Sequence, residues 1–210
     1  MIAPARLLNA ALRPVPVWLV YLAGALPAVW LGWLLMTGGL GVDPAKRLEH
    51  ALGLHALQFL IAGLAITPLR RLTGVNLLRW RRALGLIGFS YVVLHLLVWL
   101  VLDLQLRWAE IGADILKRPY VTVGMAAFAL LIPLAWTSRD SSIRRIGIRR
   151  WSRLHLLVYP AVLAGALHHV LLVKSWPLEP MLYLLAVLLL LGLRLFWWLG
   201  RFRRSAQATG

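Results

Sequence analysis

Four histidines lie inside long apolar stretches of this 210-residue chain. His95 lies within SYVVLHLLVWLVL, and His155, His168 and His169 share the stretch RLHLLVYPAVLAGALHHVLLV. An ionisable ring in hydrocarbon costs free energy unless it has a partner. A metal bound to an imidazole nitrogen removes much of that cost, and haem iron commonly takes imidazole as an axial ligand. These residues therefore predict a haem held through histidine.

The composition limits the class of protein and the way in which a haem could be held. Hydrophobic residues make up 61% of the chain and charged residues only 14%, so lipid must be its solvent. The chain contains no cysteine, which excludes disulfides, iron–sulfur clusters and a haem attached through C-x-x-C-H. The net charge is +16, but the basic residues cluster between apolar stretches, a pattern of membrane topology rather than of nucleic-acid binding.

Six apolar segments have about the 20 residues that a helix needs to cross a bilayer. The first is longer than the apolar core of a signal peptide and is interpreted as a retained helix. The sequence thus predicts an all-α integral membrane protein, a six-transmembrane-helix bundle that forms a single domain over residues 1–210. The predicted spans are 15–36, 48–68, 82–102, 119–137, 154–173 and 178–199.

Arginine and lysine predict the orientation of this bundle. Seventeen of the 23 fall at the two termini and in the second and fourth loops, and six fall on the other side. Loops rich in arginine and lysine stay in the cytoplasm. Both the N-terminus and the C-terminus are therefore expected to be cytoplasmic.

The positions of the histidines along their spans indicate which of them can meet. His95 lies 13 residues after Arg82, about 20 Å along a helix. His168 and His169 lie about as far along the fifth span, which runs in the same direction. His95 and one of this pair could therefore hold a haem near the outer face.

Helical phase does not choose between His168 and His169. Fourteen residues at about 100° each return almost to the same face, so His155 aligns with His169 in a regular helix. Pro160 lies between them and can kink or rotate that helix. His155 has no evident partner, because Arg81 and Arg82 occupy the same depth on the third span.

Other interpretations of these polar residues remain open. A histidine in a membrane helix can simply hydrogen-bond a neighbouring helix. His50 and His55 are expected to be interfacial polar residues rather than ligands. The arginines are expected to face lipid headgroups, although Arg82 or Arg153 could pair with haem propionates or a flavin phosphate.

The chain resembles the MsrQ (YedZ) family of haem-binding membrane subunits, and more distantly the membrane domain of ferric reductases and NADPH oxidases. The resemblance extends over nearly the whole chain and implies that His95, His155 and His168 are the haem-linked positions, with His169 as the alternative. The segments that carry it are GGLGVDPAKRLEH, LGLHALQFLIAGLAITPLRRL, RRALGLIGFSYVVLHL, KRPYVTVGMAAF and RRWSRLHLLVYPAVLAGALHHVLLVK.

The same resemblance implies haem b and FMN as cofactors and the bacterial inner membrane as the location. It implies an electron-transfer subunit, not the catalytic one, that takes electrons from the quinone pool. The acceptor would be a periplasmic, molybdopterin-containing methionine sulfoxide reductase (MsrP-like) that repairs oxidised proteins. Because the sequence has no G-x-G-x-x-G fingerprint, the donor must be membrane quinol or a separate flavin reductase.

Two other functions are compatible with the sequence. One keeps the haem and makes the protein a self-contained ferric or quinone reductase. The other is a cofactor-free transporter or assembly factor, which the absence of carboxylates from the middle of the spans disfavours.

Overall fold

The computed structural model describes residues 3–172 and 177–207, with side chains over 4–172 and 177–200. Over those ranges the protein is helical and has no strand. Four of the basic residues behind the predicted orientation are outside the described part of the chain. They are Lys174 and the side chains of Arg201, Arg203 and Arg204. The α-helices are α1 (Ala3–Leu12), α2 (Val17–Met36), α3 (Pro44–Thr73), α4 (Arg81–Val98), α5 (Trp108–Lys117), α6 (Pro119–Trp136), α7 (Asp140–Ile146), α8 (Ile148–Leu154), α9 (Val158–Leu171) and α10 (Leu178–Gln207).

Within residues 3–172 and 177–207, six helical stretches are long and apolar enough to cross a bilayer, which confirms the predicted number of spans and their order. The protein is therefore a multi-pass membrane protein. The stretches are Val17–Met36, Pro44–Thr73, Leu78–Asp103, Pro119–Trp136, Ile148–Leu171 and Leu178–Gly200.

Helix α3 is longer than the predicted span 48–68, which ends at Pro68. It begins earlier because the Asp43 side chain caps it, accepting from the Lys46 backbone N–H at 3.2 Å. Pro68 has no N–H, which frees the carbonyl of Leu64 one turn earlier. The Arg194 guanidinium donates to that carbonyl at 2.6 Å, so the helix continues to Thr73.

The fifth span is not one regular helix. A 3₁₀ turn over His155–Leu157 separates α8 from α9. Because a 3₁₀ turn has about three residues per turn rather than 3.6, the regular spacing used to align His155 with His169 does not apply across it.

Short helices on the two ends of the bundle were not predicted. They are α1, α5, α7 and α8, each of ten residues or fewer. Helix α5 is amphipathic, and only Ile111 in it is buried. These helices are shorter than the roughly 20 residues that a helix needs to cross a bilayer, so a prediction of spans does not include them.

Two helix pairs position the histidines. Helix α3 packs along α4, and α6 packs along α9, more extensively than any other pair in the described chain. Between the pairs lies a core in which Leu64, Val162 and Val187 are fully buried. Because α4 and α9 both begin at the arginine-rich end of the bundle, residues near their last turns lie together at the other end.

Candidate metal centre

His95 on α4 and His168 on α9 face each other across the bundle. Their ring centroids are 6.2 Å apart and the two ring planes make an angle of 74°. The two residues lie in the last turn of their helices, as the depth argument from sequence predicts. The structure therefore places His168, and not His169, opposite His95.

Each of these imidazoles is held by one backbone carbonyl. The His95 Nδ1–H donates to the carbonyl of Glu49 at 2.9 Å. The His168 Nδ1–H donates to the carbonyl of Tyr120 at 2.7 Å. A carbonyl can only accept, so the ring proton is on Nδ1 and Nε2 keeps a free lone pair. This is the arrangement that orients a metal-ligating histidine.

Each ring also lies against a glycine one turn beyond its carbonyl. A Cβ built on Gly53 would be 3.0 Å from Nδ1 of His95, and one on Gly124 would be 2.8 Å from Nδ1 of His168. Both distances are shorter than ordinary van der Waals contact. The absent side chain is what allows the ring to approach the helix backbone and reach the carbonyl.

The two halves of the centre are built in the same way. On α3 the carbonyl of Glu49 precedes Gly53 by four residues, and on α6 the carbonyl of Tyr120 precedes Gly124 by four. No motif in the sequence marked these four residues, because a carbonyl has no side-chain signature and glycine is common in membrane helices. The only available signal was the repeated spacing.

The separation of the two rings suits a single metal between them. A metal–imidazole bond is about 2 Å long, and Nε2 is about 1 Å from the ring centre. Two imidazoles on opposite sides of one metal therefore have centroids about 6 Å apart. The observed 6.2 Å matches that value.

A cavity of about 700 Å³ surrounds these two rings, and we call it the paired-histidine cavity. Its wall is largely apolar, with Trp99, Phe128 and Leu131 among its members. Cofactor sites in proteins have volumes of about 300–1,000 Å³ and mostly apolar walls. The cavity is thus large enough for a planar cofactor.

His169 lines the same cavity but lies against α10. Its ring meets that of Tyr183 edge-on, with centroids 6.1 Å apart. Its Nε2 is buried and has no hydrogen-bond partner in the described part of the chain. His169 is therefore beside the His95–His168 pair rather than in it.

His155 lies in the 3₁₀ turn, away from the other three. Its Nε2 is 3.2 Å from the Thr137 hydroxyl oxygen, and its ring packs on Trp151 with centroids 3.9 Å apart. His155 lines a second cavity of about 450 Å³ that also contains Arg81 and Arg82, and we call it the arginine cavity. Arg81 and Arg82, which the sequence places at the depth of His155, thus line the same cavity as His155.

His50 and His55 do not pair with a second imidazole in the described structure. His50 lies at the rim of the paired-histidine cavity. His55 bonds Gln58 at 3.0 Å, and Gln58 donates to the Tyr183 hydroxyl at 2.7 Å. These contacts link α3 to α10.

Comparison with known proteins decides the family. Residues 50–166, which include His95, His155 and both glycines, match the family model "Ferric reductase like transmembrane component". The chain is 53% identical over 178 residues to the protein-methionine-sulfoxide reductase heme-binding subunit MsrQ of Brucella ovis, of Brucella canis and of Brucella suis. Those 178 residues cover 85% of this chain and 80% of each relative.

The chain belongs to the MsrQ family. This confirms the resemblance recognised in the sequence. The Brucella relatives are named as heme-binding subunits of a protein-methionine-sulfoxide reductase. That residues 1–210 form one domain of the ferric reductase type stays a prediction.

Proposed function

We propose that the chain holds a haem b between His95 and His168 and passes electrons through it to a methionine sulfoxide reductase. The observation that carries this proposal is the pair of facing imidazoles, each with Nδ1 bonded to a carbonyl and Nε2 free. The names of the Brucella relatives, as heme-binding subunits, support the same cofactor.

The donor set fits a haem better than a bare metal ion. The described residues contain no group of three or more His, Cys, Asp or Glu side chains that could hold an ion. Two imidazoles leave the other coordination positions to a ligand that is not protein, and a porphyrin supplies four nitrogens in one plane. Bound there, the haem supplies one-electron redox chemistry.

Ligation from both sides supports electron transfer rather than catalysis at the metal. If His95 and His168 both held the iron, the protein would occupy the positions that a substrate needs, and the haem would supply electron transfer only. The role of the protein is then to hold both rings, to keep water away with apolar walls and to set the reduction potential. This agrees with a subunit that works beside a separate catalytic protein.

A stacked aromatic pair supports a route for electrons between the two cavities. Phe89 lines the arginine cavity and Phe128 lines the paired-histidine cavity. Their rings are 6.1 Å apart with an interplanar angle of only 6°. Leu60 and Leu131 lie in the walls of both cavities, so the cavities are direct neighbours. We infer that electrons enter at the arginine cavity and leave from the paired histidines.

For the donor we propose a membrane quinol or a separate flavin reductase. FMN is a proposal that rests on the family resemblance alone, and Arg81 and Arg82 could hold its phosphate in the arginine cavity. For the acceptor we propose a periplasmic, molybdopterin-containing methionine sulfoxide reductase. The bacterial inner membrane, with both termini in the cytoplasm, is the location that this direction of transfer requires.

The electron-transfer proposal has a direct test. Membranes that contain this protein are reduced with a quinol, and reoxidation of the haem is followed after a periplasmic methionine sulfoxide reductase and its substrate are added. We expect rapid reoxidation that needs both additions. Reoxidation by ferric chelates alone, with none by the reductase, would instead support the self-contained ferric reductase.

The proposed orientation predicts which loops can be labelled from outside the cell. The chain has no cysteine, so a single introduced thiol gives no background. Gly112 in α5 and Ser141 in α7 are both exposed, and they lie at opposite ends of the bundle. A membrane-impermeant maleimide should label Gly112→Cys in intact spheroplasts and should label Ser141→Cys only after lysis. The reverse pattern would show that the orientation is wrong.

His155 is expected to behave differently from the paired histidines. Its Nε2 lies 3.2 Å from the Thr137 hydroxyl oxygen, and in the part of the chain that the structure describes no second imidazole contacts it. His155→Ala should therefore leave the haem between His95 and His168 in place, with its absorption spectrum unchanged, and should slow reduction by the donor. Loss of that haem from His155→Ala, measured by pyridine haemochrome, would contradict this assignment.

A further inference from the structure

The polar side chains of the paired-histidine cavity, apart from the facing rings themselves, collect at one end. Arg47, Glu49 and His50 lie in the first turns of α3, His169 in the last turn of α9, and Glu179 in the first turn of α10. Glu49, which carries the carbonyl bonded to His95, sits among them. Most of the remaining wall is apolar. The cavity thus has one polar end and an apolar body.

His169 has a buried ring nitrogen that no other residue of this group bonds. Its Nε2 is out of contact with solvent and lacks a hydrogen-bond partner among residues 4–172 and 177–200. Leaving a buried polar nitrogen unbonded is unfavourable, so a partner outside the described protein is expected. Because His169 lines the cavity, that partner would be reached from the cavity itself.

Arg47 supplies the positive charge. It is the one arginine or lysine in the described wall of this cavity, and it is exposed at the rim. A single long bond of 3.3 Å joins its guanidinium to the carbonyl of Leu40, which leaves most of its five N–H donors free. His50 lies three residues later on the same helix, is also exposed and lines the same cavity.

We propose that this polar end binds the two propionate carboxylates of the haem, with His169 and Arg47 as donors. A buried imidazole N–H and a guanidinium are strong donors to carboxylate, whereas the apolar body of the cavity suits the porphyrin ring. This rests on the proposed function, since it needs a haem between His95 and His168. It gives His169 a role that is not axial ligation, although it is next to His168 in the chain.

Two carboxylates oppose this binding. Glu49 and Glu179 line the same end, and a carboxylate there repels a propionate when it is ionised. The proposal therefore predicts that substitution of these two residues raises the affinity for haem, whereas substitution of His169 or Arg47 lowers it. Removing the charge of Glu49 with Glu49→Gln should strengthen haem binding, since the carbonyl bonded to His95 remains.

The test compares haem with haem dimethyl ester, in which both propionates are neutral. Protein expressed without haem is titrated with each compound, and dissociation constants and spectra are recorded. The variants are His169→Phe, Arg47→Met and Glu49→Gln. His55→Phe is the matched control, because His55 is a histidine of α3 that is absent from the wall of this cavity.

We expect the unmodified protein to prefer haem over the ester by about tenfold or more, as charge-assisted hydrogen bonds predict. His169→Phe and Arg47→Met should lose most of that preference while binding the ester as before. Both should keep the spectrum of a haem with two imidazole ligands. Glu49→Gln should bind haem more tightly with no change for the ester, and His55→Phe should behave like the unmodified protein.

Three results would overturn the proposal. Equal affinity of the unmodified protein for both compounds would mean that the propionates are not recognised. Equal weakening of both by His169→Phe would indicate a packing role, and a change to a five-coordinate spectrum would make His169 an axial ligand. An unmodified protein that binds neither compound would instead refute the proposed haem site.

Discussion

Replacement of His95 or His168 by alanine is expected to reduce the haem content of the purified protein to about a tenth or less. Loss of an outer-shell partner already weakens metal binding by about 10- to 100-fold, and loss of the ligand itself should cost at least as much. The two rings lie 6.2 Å apart by their centroids, and each has Nδ1 bonded to a carbonyl, which leaves Nε2 as its free nitrogen. The measurement is haem per polypeptide by pyridine haemochrome, with absorption spectra of any haem that remains.

Two histidine variants serve as controls for this prediction. His55→Ala removes an imidazole bonded to Gln58, and His169→Ala removes the neighbour of His168. Both should keep the spectrum of a haem with two imidazole ligands, although His169→Ala should bind it more weakly. A His168→Ala protein with a full complement of six-coordinate haem would contradict the assignment.

Gly124→Ala is expected to disturb the centre almost as strongly, although it changes no ligand. The added Cβ would lie 2.8 Å from Nδ1 of His168, so the ring must move away from the Tyr120 carbonyl that fixes it. Overpacking of this kind costs about 1–3 kcal/mol, which corresponds to about a 5- to 150-fold loss of haem affinity. Gly53→Ala should act on His95 in the same way but more weakly, at 3.0 Å.

The glycine variants distinguish a displaced histidine ring from a protein that fails to fold. Alanine is a better helix former than glycine by about 1 kcal/mol, so the variants should fold. Gly192→Ala in α10 is the matched control, because its Cβ would meet nothing within 4 Å. Gly124→Ala should show a growing high-spin fraction by electron paramagnetic resonance, whereas Gly192→Ala should not. Identical spectra for the two variants would show that the glycine does not position the ring.

The depth of the paired histidines could be predicted because it depends only on the fixed rise of a helix. His95 and His168 lie about equally far from the arginine-rich starts of two helices that run the same way, so their meeting follows from topology. The placement of Arg81 and Arg82 in the same cavity as His155 was predictable for the same reason. The six spans could be predicted because length and apolar composition are properties of single segments.

Features that depend on contacts between distant segments could not be predicted. Helix α3 passes through Pro68 because Arg194, 130 residues beyond Leu64, bonds the freed carbonyl. The alignment of His155 with His168 or His169 depends on the 3₁₀ turn at His155–Leu157. No local sequence pattern predicts that turn. The carbonyl and glycine that hold each ring belong to another helix, so only the packed structure brings them together.

The most direct measurement is electron paramagnetic resonance of the purified ferric protein, combined with its haem-to-polypeptide ratio. We predict a low-spin signal typical of two imidazole ligands, with haem present in at least equal amount to polypeptide. A high-spin signal would show that one of the two rings is not bound to the iron. Protein that contains no haem after haem-replete expression, yet still supports methionine sulfoxide reduction, would contradict the account altogether.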